Sequence, residues 1–428
     1  MGLPLAKHSA LAARVAGLSG AAGGWLAAAQ ADAAGRLSGM GLPVKRDEYW
    51  RYTDPSALTS PVPVPAVVFN PLDEPEIFGA IDRLRIVFTD GKFDTQASDS
   101  LTASGVSIDR LADVAALDIH WAHDLFGVLE TRGQTPVARP LAALNTSFAT
   151  DGVLIRVTGQ AAKPIALIYH RKSTTSDVML HHCIKLEAGA EVTLLESGPA
   201  AARLNVVTEV EIGPGARFHH IRTQGRDHER QAATHLFTRL ATKSQFKSFT
   251  LTANGRLTRN ETVIEMLGDD AVAHVAGAAV GDGDFHHDDT VFVTHAALRC
   301  ESRQVFKKVL KNGAVGVFQG KILVKPGAQK TDGYQISQAL LLDGDAQFLA
   351  KPELEIYADD VKCSHGSTSG EIDETALFYL QSRGIPLREA QALMVLAFLA
   401  EPIAEIDDAE IAEDIRARLE GWLARHAG

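Results

Sequence analysis

The chain has 428 residues, 46% hydrophobic and 22% charged, with a formal net charge of −11. That length can bury a large core in two or three structural units. The acidic balance argues against a nucleic-acid binder, which needs a basic face for phosphates, and against an anionic membrane surface as the main partner.

Only three cysteines occur, Cys183, Cys300 and Cys363. They are too few and too scattered for a disulfide framework, and they fit a reducing, cytoplasmic setting. No charge-free run of about 18 apolar residues is present, so no membrane-spanning helix is expected. Lys7, Arg14 and the Ala/Gly-rich stretch from Val15 to Ala31 loosely imitate a secretion signal. Leu11, Val15, Leu18, Trp25 and Leu26 instead fall at helical spacing.

Residues 1 to about 40 read as one or two alanine-rich helices broken near Gly23-Gly24. Next, Glu48 to Leu58 (EYWRYTDPSAL) carries three aromatics in four residues and then Asp-Pro, the pattern of a buried plug followed by a turn. The PVPVP run at 61–65 lacks the donors of a central strand and reads as an extended linker. Residues 84–88 (LRIVF) form a short strand, and 121–149 carry helical spacing through Leu125, Phe126, Leu129, Leu141, Leu144 and Phe148. The expected division is a mostly helical N-terminal domain at 1–150, a β core at 151–362 and a helical domain at 363–428.

From Gly152 the hydrophobic period becomes two, for some 200 residues. A turn pattern recurs, as in Glu187-Ala188-Gly189-Ala190 and Gly213-Pro214-Gly215-Ala216, with looser echoes at Gly268, Gly281 and Gly344. A solenoid needs a glycine-permitted corner in each rung. A β-sandwich has similar strand lengths, and the shortage of two-residue hairpin turns favours the solenoid. A solenoid's end rungs must be capped or paired; the helical ends of the chain are the obvious caps, and a lateral partner strand is the other solution. After Ile372 the period is helical. Asp373 caps ETALFYLQSRG, Pro386 opens a helix apolar nearly all round, and the last helix carries Ile411, Ile415, Leu419, Trp422 and Leu423 on one stripe.

Few motifs carry chemistry. Gly316-Val317-Phe318-Gln319-Gly320-Lys321-Ile322 has the wrong glycine spacing for a phosphate loop and isoleucine where a magnesium-binding hydroxyl belongs, so no nucleotide is expected on this chain. His181-His182, His219-His220 and His286-His287-Asp288-Asp289 put one ligand on each face of a strand, poor metal geometry without help from another strand. The last group together with His295 is a candidate zinc or hard-metal site, against the plainer reading of a polar turn near the surface. In Cys363-Ser364-His365 the thiol and imidazole share one strand face about 7 Å apart, and Lys362 is placed to favour the thiolate. A free cysteine is also commonly buried as a small hydrophobe.

The stretch ELEIYADDVKCSHGSTSGEIDETALFYLQSRGI, 353–385, resembles the C-terminal signature of the SufB/SufD family of iron–sulfur cluster assembly proteins. KTDGYQISQALLLDGDAQFLAKP, 330–352, resembles the run into it. ETALFYLQSRGI, AFLAEPI and EYWRYTDPSAL look like the SufD branch. The resemblance is strongest from about Gln304 to Ile403. It implies a right-handed parallel β-helix core with N- and C-terminal helical domains. It also implies a non-catalytic scaffold that pairs with a SufB-like protein along β-helix edges, with a homodimer possible in isolation. A SufC-like ATPase would dock on the C-terminal helices, here Leu393, Leu396, Phe398 and Leu399. Cys363 and His365 would face the interface where a transient Fe–S cluster forms and would serve as its metal ligands. Cys183 and Cys300 match no such motif and read as core. A cupin-like metalloenzyme is the rival, but its His-x-His pattern is missing from the chain. A solenoid interaction protein with no cluster role is the third reading.

Overall fold

The computed structural model describes residues 5–21, 23–68, 75–199, 201–225 and 227–426. The period-two region folds as a β-solenoid of about seven turns, with helices at both ends of the chain. The strands form two ten-stranded sheets; from Val153–Val157 onward successive strands alternate between them, and neighbours within each sheet are parallel. Inward side chains from both sheets, such as Ile155, Leu180, Val206, Phe218, Phe246, Val293 and Phe318, fill the space between them. The strand expected at 84–88 is Leu84–Thr89. It pairs in parallel with Ile165–His170 and so begins the first sheet.

One corner of the solenoid explains why the repeat was hard to read. Gly189, Gly215, Lys243, Asp270, Arg299 and Lys330 stack there, each at positive φ between 54° and 71°. In each, the backbone N–H donates to a carbonyl of the next corner. Glycine takes this conformation freely, whereas the other four residues do so at some cost. The inter-rung hydrogen bond offsets that cost, so the corner persists where glycine does not.

Helices cover the two outer faces. The N-terminal helices Leu5–Val15, Gly24–Met40 and Pro140–Phe148 lie on the second sheet, where Trp25, Leu26, Leu141 and Leu144 are buried. The aromatic segment is the expected plug: Tyr49 and Trp50 are buried, with the Arg259 guanidinium 4.1 Å from the Trp50 ring centre. The C-terminal helices Leu387–Ile403 and Ala409–Arg425 lie on the first sheet. There Val395, Leu399, Ile411, Ile415, Leu419 and Trp422 pack against Ile221, Phe249, Ala276 and Val305. Asp373 caps the preceding helix, Glu374–Gln381, accepting from the backbone N–H of Thr375 and Ala376.

The two ends of the solenoid differ. At the first end, antiparallel pairs close both sheets: Lys92–Phe93 on Leu84–Thr89, and Thr102–Ala103 on Val106–Arg110. At the other end, Gln347–Ile356 and Lys362–Gly370 each pair on one side only among the described residues. The C-terminal helices were expected to cap this end. They lie on the flank instead, because their apolar stripes meet the outer face of the first sheet. Two strands of ten and nine residues are left with open edges, which proteins ordinarily cover or blunt.

Candidate functional site

Cys363 and His365 lie on Lys362–Gly370, the open edge strand of the first sheet. Their register partners on the preceding rung are Gly333 and Gln335, and one rung further back Ser302 and Gln304. Gln304 and Gln335 are fully buried in the interior. Cys363 and His365 therefore continue the inward-facing columns onto a rung that nothing follows. The Cys363 thiol turns into a small aliphatic cluster with Ile322, Val324, Ala328 and Ala358. Gly333 makes room for it, since a Cβ there would stand 3.2 Å from Sγ. His365 is exposed.

The thiolate expectation is not met. Lys362 projects to the opposite strand face. Burial is the main influence on Cys363 and pushes its thiol above the usual cysteine range; Asp332 adds to this, against an opposing hydrogen bond from the Gly333 backbone. Half-buried, the thiol is held toward its protonated form.

The expected docking residues divide by face. Leu393 is 44% exposed. Leu396 and Phe398 are partly buried against the solenoid, with the Lys307 ammonium 4.7 Å from the Phe398 ring centre. Leu399 is fully buried in the helix–sheet core, so it anchors the helix and offers no surface. The larger apolar exposure is on neighbouring residues that the periodicity did not single out. Phe378 is 69% exposed, Tyr379 60% and Leu387 47%, and no residue of Glu374–Gln381 is buried.

The histidine-rich segments resolve into buried networks. His286-His287-Asp288-Asp289 opens the strand His286–His295 and is not a surface turn. Its alternate residues face opposite ways. His287 and Asp289 meet Lys308 at 3.0 and 2.5 Å. Asp288 accepts from Thr53 at 2.6 Å and from Arg259, and His286 lies 2.9 Å from the same Thr53 hydroxyl. His295 is separate, bonded to Ser302 at 2.8 Å. No common metal centre forms from this set. Glu196 is enclosed by Tyr169 and His220, at 2.9 and 3.0 Å. Burial alone would raise its carboxyl, but His220 and Arg222 hold it down to about 2.

One metal-capable cluster does occur among the described residues: His181, Cys183 and Glu209, all buried, with ligand atoms within 4.8 Å of one another. Its valences are already used. Glu209 accepts the backbone N–H groups of Gly127, Leu129 and Glu130 and the His181 ring at 2.8 Å. Asn145 donates to the carbonyls of Leu180 and Asn205, which turns its oxygen toward His181 Nδ1, 3.0 Å away. Both ring nitrogens of His181 are already engaged, so a metal would have to displace Asn145 or Glu209. The cluster is a clamp between the N-terminal helices and the solenoid. Cys300, the third cysteine, is likewise buried in the core.

The family model for "SUF system FeS cluster assembly, SufBD core domain" matches residues 169–398. The iron–sulfur cluster assembly protein SufD of Escherichia coli is 29% identical over 401 residues, covering 90% of each chain. A SufBD family protein of Synechocystis is 28% identical over 414 residues, covering 90% of this chain and 88% of its own. The SufD protein of Bacillus subtilis is 28% identical over 278 residues, or 62% of this chain and 63% of its own. With a matching core, a solenoid of the expected kind and relatives aligned nearly end to end, the chain belongs to the SufB/SufD family of iron–sulfur cluster assembly proteins, on its SufD branch.

Proposed function

We propose that this chain is a non-catalytic scaffold subunit of a cytoplasmic SUF assembly complex. It pairs with a SufB-like solenoid, and a nascent Fe–S cluster is built as cargo where the two meet. The observation that carries the reading is the open last rung. Two long strand edges lack partners among the described residues, and the exposed rung presents a thiol and an imidazole on its inward face. A second solenoid laid against these edges would satisfy their peptide groups and supply the remaining cluster ligands, since two side chains cannot complete a cluster's ligand set. A SufC-like ATPase would dock on the C-terminal helices, around Leu393 with the margins of Leu396 and Phe398, extended by Phe378, Tyr379 and Leu387. The ATP-hydrolysing chemistry lies in that partner, and this chain binds no nucleotide. In isolation, the same open edges would suit a homodimer.

Co-expression with SufB- and SufC-like partners tests the site. Cys363→Ala and His365→Ala are expected to leave the complex intact while iron and sulfide content falls by about tenfold or more, since losing even a group that supports a metal ligand costs about 10–100-fold in affinity. Wild-type cluster content in both variants would defeat the assignment. Docking is tested by Phe378→Asp and Leu393→Asp. Both should reduce capture of the ATPase and leave the unfolding midpoint unchanged, because both side chains are exposed. Leu399→Asp should instead unfold the helix–sheet contact. If Phe378→Asp and Leu393→Asp bind the ATPase normally, the docking face lies elsewhere.

A further inference from the structure

The glycines of the rejected phosphate-loop stretch have a structural purpose. Gly316 and Gly320 lie four apart on Val315–Val324 and therefore on one face, the interior one. Each clears space for a polar side chain reaching across from the first sheet. A Cβ on Gly316 would stand 2.7 Å from Cδ of Lys308, and one on Gly320 would stand 2.3 Å from Oε1 of Gln335. Lys308 uses its space to reach Asp289 and His287. Gln335 is fully buried, and among the described residues neither its carbonyl oxygen nor its amide nitrogen has a hydrogen-bond partner; the same holds for Gln304, its neighbour one rung back.

The other neighbour in this column is His365, in register with Gln335 on the open rung. Adjacent strands lie about 4.8 Å apart, within reach of a glutamine side chain on the same face. A histidine that gives one ring nitrogen to a metal nearly always donates its other N–H to an acceptor, which fixes the ring's tautomer and direction. A buried carboxamide without a partner among the described residues, one rung away in the same column, can meet that need.

We propose that Gln335 is a positioning residue for His365: its carboxamide oxygen accepts the N–H of the ring nitrogen that does not bind metal, and Gln304 receives its freed amide N–H. The proposal rests on the reading of Cys363 and His365 as the cargo site. Gly320 gives the carboxamide a resting place across the interior, from which it turns toward His365 without breaking any bond to a partner.

The test uses the co-expressed complex stripped of iron and titrated with Co2+, followed by the visible bands of thiolate- and imidazole-bound cobalt. Gln335→Leu is expected to weaken Co2+ binding roughly tenfold, the effect typical of losing such a supporting acceptor. Gln335→Glu keeps an acceptor at the same reach and should restore the affinity. Gly320→Ala puts a methyl group where the carboxamide rests and should alter the Co2+ spectrum without touching Cys363 or His365. The unfolding midpoint of Gln335→Leu should match or exceed that of wild type, because the amide has no partner to lose. Wild-type Co2+ affinity in Gln335→Leu, with His365→Ala impaired, overturns the proposal and leaves the site standing. Wild-type affinity in His365→Ala and Cys363→Ala removes both. A lowered midpoint in Gln335→Leu, with affinity not restored by Gln335→Glu, would mean a purely structural glutamine and also overturns it.

Discussion

Replacing Glu209 with alanine is expected to destabilise the protein by about 3–5 kcal/mol, since each buried donor left unsatisfied costs about 1–3 kcal/mol. The side chain is fully buried and accepts four hydrogen bonds, three from the peptide N–H groups at 127, 129 and 130 and one from His181. Alanine strands the three peptide donors inside the core. Asn145 still engages Nδ1 of His181. Glu209→Gln keeps one carbonyl but turns an amide donor toward peptide donors. A smaller loss, about 1–3 kcal/mol, is expected. Denaturant unfolding measures both, and limited proteolysis should find the connection between 127 and 148 opened first. A Glu209→Ala protein with the wild-type midpoint would show that the clamp contributes nothing. If added zinc stabilised the wild-type protein through this cluster, the conclusion that its valences are filled would fall.

The clamp also illustrates what was hidden in the sequence. Cys183 and Glu209 are register neighbours on adjacent rungs, and His181 shares the face of Cys183. The available signal was His181-x-Cys183 at strand spacing with an acid one rung later. Using it requires knowing the rung length, and the corner conceals that. A turn that is Gly189 in one rung and Lys243 or Arg299 in others has a constant backbone and no constant residue. The strands and terminal helices were legible because burial on one face imposes a period on composition. The pairing of Cys363 with His365 was legible for the same reason, since two residues apart on a strand means one face. Their environment was not. Thiol burial depends on Gly333 and Ile322 from earlier rungs and on Ala358 from the preceding corner, and His365 is exposed because no described strand covers it. Leu399 was misread for a related cause. The helix is apolar on several sides, and only the sheet's position decides which side is core.

Acid should destabilise the solenoid through its buried histidines, and His295 offers the cleanest measure. This ring is held down to about 4 by burial alone, against 6.5 for a free histidine. Its one hydrogen bond is to Ser302, and no charged group opposes the effect of burial. The sign follows from proton counts. Between about pH 6.5 and 4 the unfolded chain holds a proton at this position and the folded chain does not. Stability is therefore fully present above the unfolded value and is lost as pH falls through the window, by up to about 1.4 kcal/mol per pH unit and about 3 kcal/mol in all. His182 and His287, each also brought to about 4 chiefly by burial, add losses of the same sign in the same window. Glu196, held near 2, remains ionised there and contributes only at lower pH. His295→Gln keeps a polar group near Ser302 and removes the titration. Its unfolding free energy should fall less steeply from pH 6.5 to 4 by one proton's worth, whatever its offset at pH 7. Parallel curves for the two proteins would mean that His295 is protonated inside the fold, and burial could then not be what depresses it.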